Sequence, residues 1–447
     1  MSPRPRQMLS SISILVALLL VACTGGAPRA SVAPPSATPA ITTRATASPA
    51  SDTAEIAPDA WLVVGRAGNE GTRVILASTA EELYELPDGV PDETWGRLLG
   101  VSTDGLTTTV RNLVVQPGFG GGSQSVLGTW RLPTIGSDPM PVGVSVDRRT
   151  VVLVEGGADA TTGARSTSRF AIVRTSFDDR PRIVALDGDF EYDALSPDGS
   201  TLYVVEHLAG PPAGHYQVRM VDVATGTLRP EVVADKSGGG EAMAGYPIAQ
   251  VRRPDGMVFT LYRGAEHPFI HTLSSTDGWA LCIDLPETGV ADPAVDLEWG
   301  MAATPTGGSI VAVNATLGLA VEVSTGDLSV RRSVSFEPIA ATGITLAKFG
   351  HSAGGTVGRR VVVAPRGNEI YAAGATGVIR LSTSDLTVTG RVLVGSAVQA
   401  LAIPPDGGTL YALTRGGRIV GLDVATGRTR LEVPGTGYDR LLGVVPW

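Results

Sequence analysis

The feature that most constrains this chain is a short turn element that recurs along most of its length. Pro197-Asp198-Gly199, Pro254-Asp255-Gly256, Pro305-Thr306-Gly307, Pro365-Arg366-Gly367 and Pro405-Asp406-Gly407 are clear copies, and Thr103-Asp104-Gly105 and Val146-Asp147-Arg148 are weaker ones. Proline presets the first turn position, aspartate bonds its own backbone and glycine accepts positive φ, so each copy closes a tight hairpin. Measured at the third turn residue, the spacings are 43, 51, 57, 51, 60 and 40 residues. A solenoid would hold its period more tightly, whereas blades of a closed ring tolerate loop insertions of this size.

The unit is clearest at the carboxyl end. Val398 to Ile403, Thr409 to Leu413, Arg418 to Asp423 and Arg430 to Val433 read as four short strands, with Pro405-Asp406-Gly407 closing the first hairpin and Ala425-Thr426-Gly427 the third. With 56 Gly and 31 Pro spread through the chain, long helices have little room. Stretches such as Leu195 to Val205, reading LSPDGSTLYVV, resemble the repeats of bacterial YVTN-type and WD-repeat β-propellers. The resemblance covers most of residues 95–433 and implies an all-β propeller of four-stranded blades. It says little about activity, because those families include lactonases, dehydrogenases and many binding scaffolds. The WD consensus itself is not met.

Counting blades requires both ends. Trp61 to Gly65, Arg73 to Ser78 and Glu82 to Leu86 are three strands without a fourth, and Leu441 to Val445 is one strand left over. Joined, they make a blade shared between the termini, which removes two cut edges from the ring. Eight blades are expected over residues 60–447, with seven as the alternative because the copy at Asp104 lacks a clear fourth strand.

The amino-terminal end has a different character. Arg4 and Arg6 precede an apolar run from Leu9 to Ala22, too short to span a bilayer, so residues 1–22 read as a signal peptide. The run ends in Leu20-Val21-Ala22-Cys23, which resembles the lipobox of bacterial lipoproteins. That resemblance implies an acylated Cys23 as the first mature residue and an extracytoplasmic protein anchored in the bacterial cell envelope. In residues 24–58, 28 of 35 positions are Ser, Thr, Ala, Pro or Gly, so residues 23–59 are expected to be a lipidated cysteine and a tether. Cys282 is the only other cysteine and reads as a buried apolar residue. The net charge of −9 argues against a nucleic-acid partner.

In a propeller, the first-to-second and third-to-fourth hairpins share one face. The second-to-third loops and blade connections share the other, called here the connection face. Three groups of residues are candidates there. His267, His351, Arg263 and Glu298 could form an acid, base and anion-stabilising set. Trp95, Tyr192, Tyr246, Trp299 and Tyr438 each stand just before a first strand, as a girdle for stacking at the channel mouth or as wedges between blades. Asp187, Asp189, Glu191 and Asp193 place carboxylates at alternate positions of one loop, which makes them candidate Ca²⁺ ligands, although the EF-hand pattern is absent. No other cofactor is indicated. The leading expectation is a monomeric, membrane-tethered propeller binding a protein, glycan or small ligand at the connection face. A propeller enzyme of lactonase or quinoprotein-dehydrogenase type and an envelope assembly scaffold are the alternatives.

Overall fold

The computed structural model describes residues 59–445 apart from 67–70, 116–119, 137, 139, 157–164, 209–214, 234–242, 265–266, 287–297, 340–357 and 434. These residues form an all-β propeller of eight four-stranded antiparallel blades, numbered here in ring order. The innermost strands are Arg440–Val445 in blade 1, Asp88–Pro91 in blade 2 and Trp130–Arg131 in blade 3. In blades 4 to 8 they are Phe190–Leu195, Met243–Arg252, Gly300–Ala303, Val361–Val363 and Val398–Ala402.

Turn chemistry sets the repeat. In blade 8, the Asp406 carboxylate accepts from the Gly408 amide at 2.8 Å while the Gly407 amide donates to the Pro404 carbonyl at 2.9 Å. Gly407 has φ of +68°, and a Cβ there would stand 3.2 Å from Pro365 in the equivalent hairpin of blade 7. Glycine thus serves both the turn and the stacking of one hairpin on the next. The third hairpins work through a side chain: Asp423 Oδ1 accepts from the Thr426 amide and hydroxyl at 2.6 and 2.8 Å.

Blade 1 closes the ring as the sequence implied. Trp61–Gly65, Thr72–Leu76 and Glu82–Leu86 supply its outer strands, and Arg440–Val445 pairs with the first of them from Trp61↔Val445 to Gly65↔Arg440. Two cut edges disappear, and Leu62, Leu441, Val444 and Val445 are buried in the join.

One turn falls elsewhere than expected. Thr103-Asp104-Gly105 links Arg97–Asp104 to Thr107–Val114, the second and third strands of blade 2, and so lies on the connection face. The first hairpin of that blade is instead Asp92 to Arg97, where Asp92 Oδ1 accepts from the Gly96 amide at 2.9 Å. An Asp-Gly turn closes either hairpin equally well, and only the count of preceding strands decides which.

Blade seams hold the core. Successive blades meet through aliphatic and aromatic side chains, as where Val362, Leu401, Leu410 and Leu422 join blades 7 and 8. Blades 4 and 5 are additionally joined by backbone pairing, His215↔Ala244 and Tyr216↔Met243.

Candidate functional site

On the connection face, blades 3 and 4 bring together a charged network. Glu191 and Asp189 stand at the start of the inner strand of blade 4, His207 ends its second strand, and Arg165 comes from blade 3. Arg165 Nε donates to Asp189 Oδ1 at 2.9 Å and its Nη2 to Glu191 Oε1 at 3.2 Å, while His207 Nε2 lies 3.4 Å from Glu191 Oε2. The hydrogen bond from His207 holds the Glu191 carboxyl below the usual range, and Glu191 in turn raises His207.

The four alternating carboxylates do not act together. Asp189 and Glu191 share Arg165, Asp187 is exposed at a strand end, and Asp193 is buried. The register shifts between Tyr192 and Ala194, so Asp193 is the extra residue of a β-bulge and leaves the alternation. Burial pushes its carboxyl up to about 7. Among the described residues, no group of three or more His, Cys, Asp or Glu side chains is placed to hold a metal ion.

The five aromatics divide. Tyr192, Trp299 and Tyr438 are buried wedges at the seams between blades 3 and 4, 5 and 6, and 8 and 1. The Tyr438 hydroxyl bonds Glu82, and Arg66 lies 4.7 Å over its ring. Trp95 departs from the expected position: it lies in the first hairpin of blade 2, on the face opposite the others, and packs over Gly443. Tyr246, 49% exposed in the inner strand of blade 5, is the most exposed ring of the five, while Trp95 and Trp299 line the central cavity.

The described members of the acid-base set sit in separate pairs. His267 Nε2 is 2.9 Å from Asp284 Oδ1. Glu298 pairs with Arg360, and Arg263 is register partner to Tyr246 and Pro268. His351 and Cys23 lie outside the described residues. Cys282 is half-buried, its sulfur 3.6 Å from that of Met243.

The channel itself is a cavity of about 770 Å³. Its wall combines apolar side chains from inner strands of blades 1, 2, 5, 6, 7 and 8 with polar surface of similar extent, and carries Asp138, Gln250, Arg252, Arg359 and Arg360, with Asp92 and Glu93 from the first hairpin of blade 2. Asp138 lies between 132–136 and 140–142, described residues that form the base of a strap interrupting the inner strand of blade 3. The strap is closed at its base by the Thr134↔Pro141 bridge and the Val142 amide bond to Pro133. Ile135 buries itself against Tyr192 and Leu195 of blade 4, and Gly136, at φ of +51°, passes so close to blade 5 that a Cβ would strike the Pro247 carbonyl. Sequence reasoning missed the strap. Its signal was the pair Pro133 and Pro141 bracketing a polar insertion where an inner strand should continue.

No protein-family model and no curated protein sequence matches the chain. Among solved structures, apo AztD from Citrobacter koseri is similar at a TM-score of 0.52 and 11% identity, covering 86% of this chain and 98% of that one. Dihydro-heme d1 dehydrogenase NirN, in complex with DHE, follows at 0.50 and 12%, covering 89% and 77%. The periplasmic gluconolactonase PpgL of Pseudomonas aeruginosa gives 0.43 and 14%, covering 86% and 98%. These neighbours are β-propeller proteins, and the likeness is one of fold.

Proposed function

We propose that this chain is a ligand-binding propeller, held at an extracytoplasmic membrane surface by acylated Cys23, that takes a small polar molecule into its channel from the connection face. The carrying observation is the cavity of about 770 Å³, within the ~300–1,000 Å³ of small-molecule sites, in which apolar strand residues alternate with charged and amide side chains that suit a polar ligand. Binding is favoured over acid-base chemistry because Glu298 is engaged by Arg360 and His267 by Asp284. Exposed Tyr246 supplies a stacking surface on the same face, and its loss should weaken binding several-fold.

A thermal-shift screen against sugars, amino acids and organic acids tests this reading. Hits on the wild-type propeller should vanish in Ala302→Trp, which fills the channel, and persist in Asp198→Ala, which alters a hairpin on the opposite face. Hits that survive Ala302→Trp would refute channel binding. Anchoring is tested separately by labelling with a palmitate analogue: Cys23→Ala should abolish the label, and undiminished labelling defeats the lipid anchor.

A further inference from the structure

We propose that Cys282, Met243 and His271 form a site for cuprous ion in the seam between blades 4 and 5. None of the three lines the channel, so this site is separate from the pocket proposed above.

Strand order brings the donors together. Cys282 lies in the outermost strand of blade 5, Trp279–Asp284, and His271 is its register partner in the neighbouring strand Pro268–Ser274. Residues directly opposed in this way project from one side of a sheet, with Cβ atoms roughly 5 Å apart. That side faces blade 4: Tyr262 and Phe269 pack there on Val205 and Tyr216, with Met243 and Cys282 against the same cluster. His271 stands edge-on to Tyr262, their ring centres 6.1 Å apart. Met243 opens the inner strand of blade 5 as backbone partner of Tyr216, and its thioether reaches the outermost strand, where its sulfur lies 3.6 Å from that of Cys282. Two sulfurs each about 2.3 Å from one ion would subtend about 103° at that separation, near the tetrahedral angle.

The donor set decides the metal. A thiolate and a thioether are soft ligands that select cuprous ion, and the thioether is outside the usual zinc set of thiolate, imidazole and carboxylate. Charge favours the same ion. One thiolate neutralises Cu⁺, whereas Zn²⁺ would keep an uncompensated charge in a seam where His271 is only 1% exposed. A separate observation concerns Tyr216, also 1% exposed, whose hydroxyl has no hydrogen-bond partner among the described residues. It packs in the same cluster as the two sulfurs, and a metal-bound thiolate supplies the acceptor that this donor lacks. On binding, the Cys282 S–H bond breaks, its proton leaves to solvent and an S–Cu bond forms, with copper cuprous throughout. Cys282 and Met243 are half-buried, so the ion meets the sulfurs first and the imidazole behind them.

The test titrates cuprous ion, kept reduced by ascorbate and competed by bicinchoninate, into the full chain carrying Cys23→Ser, which leaves Cys282 as its only thiol. A single equivalent should bind, and copper X-ray absorption should show two sulfur neighbours and one nitrogen. Cys282→Ser should abolish binding. Met243→Leu, a change that conserves volume, should remove one sulfur neighbour and most of the affinity, and His271→Gln should remove the nitrogen. Zinc should bind less tightly than copper in every case. Melting temperatures establish that each variant is folded. Copper affinity that survives Cys282→Ser, or that is lost there but unchanged in Met243→Leu, would overturn the site, the second result leaving an ordinary thiol. A nitrogen neighbour that persists in His271→Gln, or zinc bound as tightly as copper, would overturn it too.

Discussion

Two seams of the ring are built from the same repeat and have opposite chemistry. Between blades 7 and 8, Val362, Val378, Leu401, Leu410 and Leu422 interlock as an aliphatic layer. Between blades 4 and 5, Gln250, Thr260, His271 and Cys282 stand in register across the four strands of blade 5. Tyr216 and Tyr262 stack there at 5.5 Å, and Asp193 is buried to 2%. Gln250 Nε2 donates to the Asp193 backbone carbonyl at 3.1 Å and to Thr260 Oγ1 at 3.0 Å, while Asp193 Oδ2 meets no partner among the described residues. The second seam therefore carries a carboxyl that is favourable only when protonated, and backbone pairing between the blades offsets part of that cost. Turn motifs space the blades without dictating what lies between them.

Transplanting the carboxyl should break the comparison most forcefully. Leu410→Asp puts an acid into the aliphatic seam, which offers neither a bulge nor polar neighbours. It should destabilise the propeller by roughly 5 kcal/mol or prevent folding at pH 8, read by denaturant melts. A soluble Leu410→Asp protein of wild-type stability would show that the seams are interchangeable.

The reverse change sharpens it. Asp193 has its folded value raised to about 7 from 3.8, so the folded state holds a proton that the unfolded state has released. Its contribution to stability is present in full below about pH 4 and falls as pH rises towards 7. Asp193→Asn is free of that penalty. It should match wild type at pH 4 and exceed it at pH 8 by about 4 kcal/mol, the upper value set by ~1.4 kcal/mol per unit. Parallel melts at the two pH values test this, and a difference that does not change with pH would mean that Asp193 is charged in the fold. Leu410→Ala, by contrast, should cost about 3 kcal/mol at both pH values, because a cavity does not titrate.

How much of this could be read beforehand depends on whether a feature is local. The hairpins at Asp198, Asp255 and Asp406 were legible because proline, aspartate and glycine each fix a backbone angle or a bond within four residues. The shared blade was legible from counting strands at the two ends. The bulge at Asp193 was not: strict alternation would set Asp187, Asp189, Glu191 and Asp193 on one side, and nothing local marks the extra residue. Tyr192, Trp299 and Tyr438 read as channel rings or wedges equally well, since both positions precede or open a first strand. Arg165, which organises the acidic loop, comes from another blade and is adjacent to it only in the closed ring.

The smallest effect lies within a single strand, where Glu191 and Asp193, two positions apart, shift in opposite directions. Glu191 faces solvent and is held ionised first by His207, then by Arg165. His207 is raised from 6.5 by the same contact, so its stabilising charge is present below that value and lost as pH rises through its higher folded value. Removing the partner with Glu191→Gln should return the His207 titration towards 6.5, seen in its imidazole NMR shifts. The cost to stability at pH 6 should stay below about 1 kcal/mol because the pair is half-exposed and screened. At pH 9, where His207 is neutral in either protein, most of that difference should disappear. An unmoved His207 titration would mean that the pair contributes no electrostatic coupling, and the contrast with the buried acid next to it would then rest on burial alone.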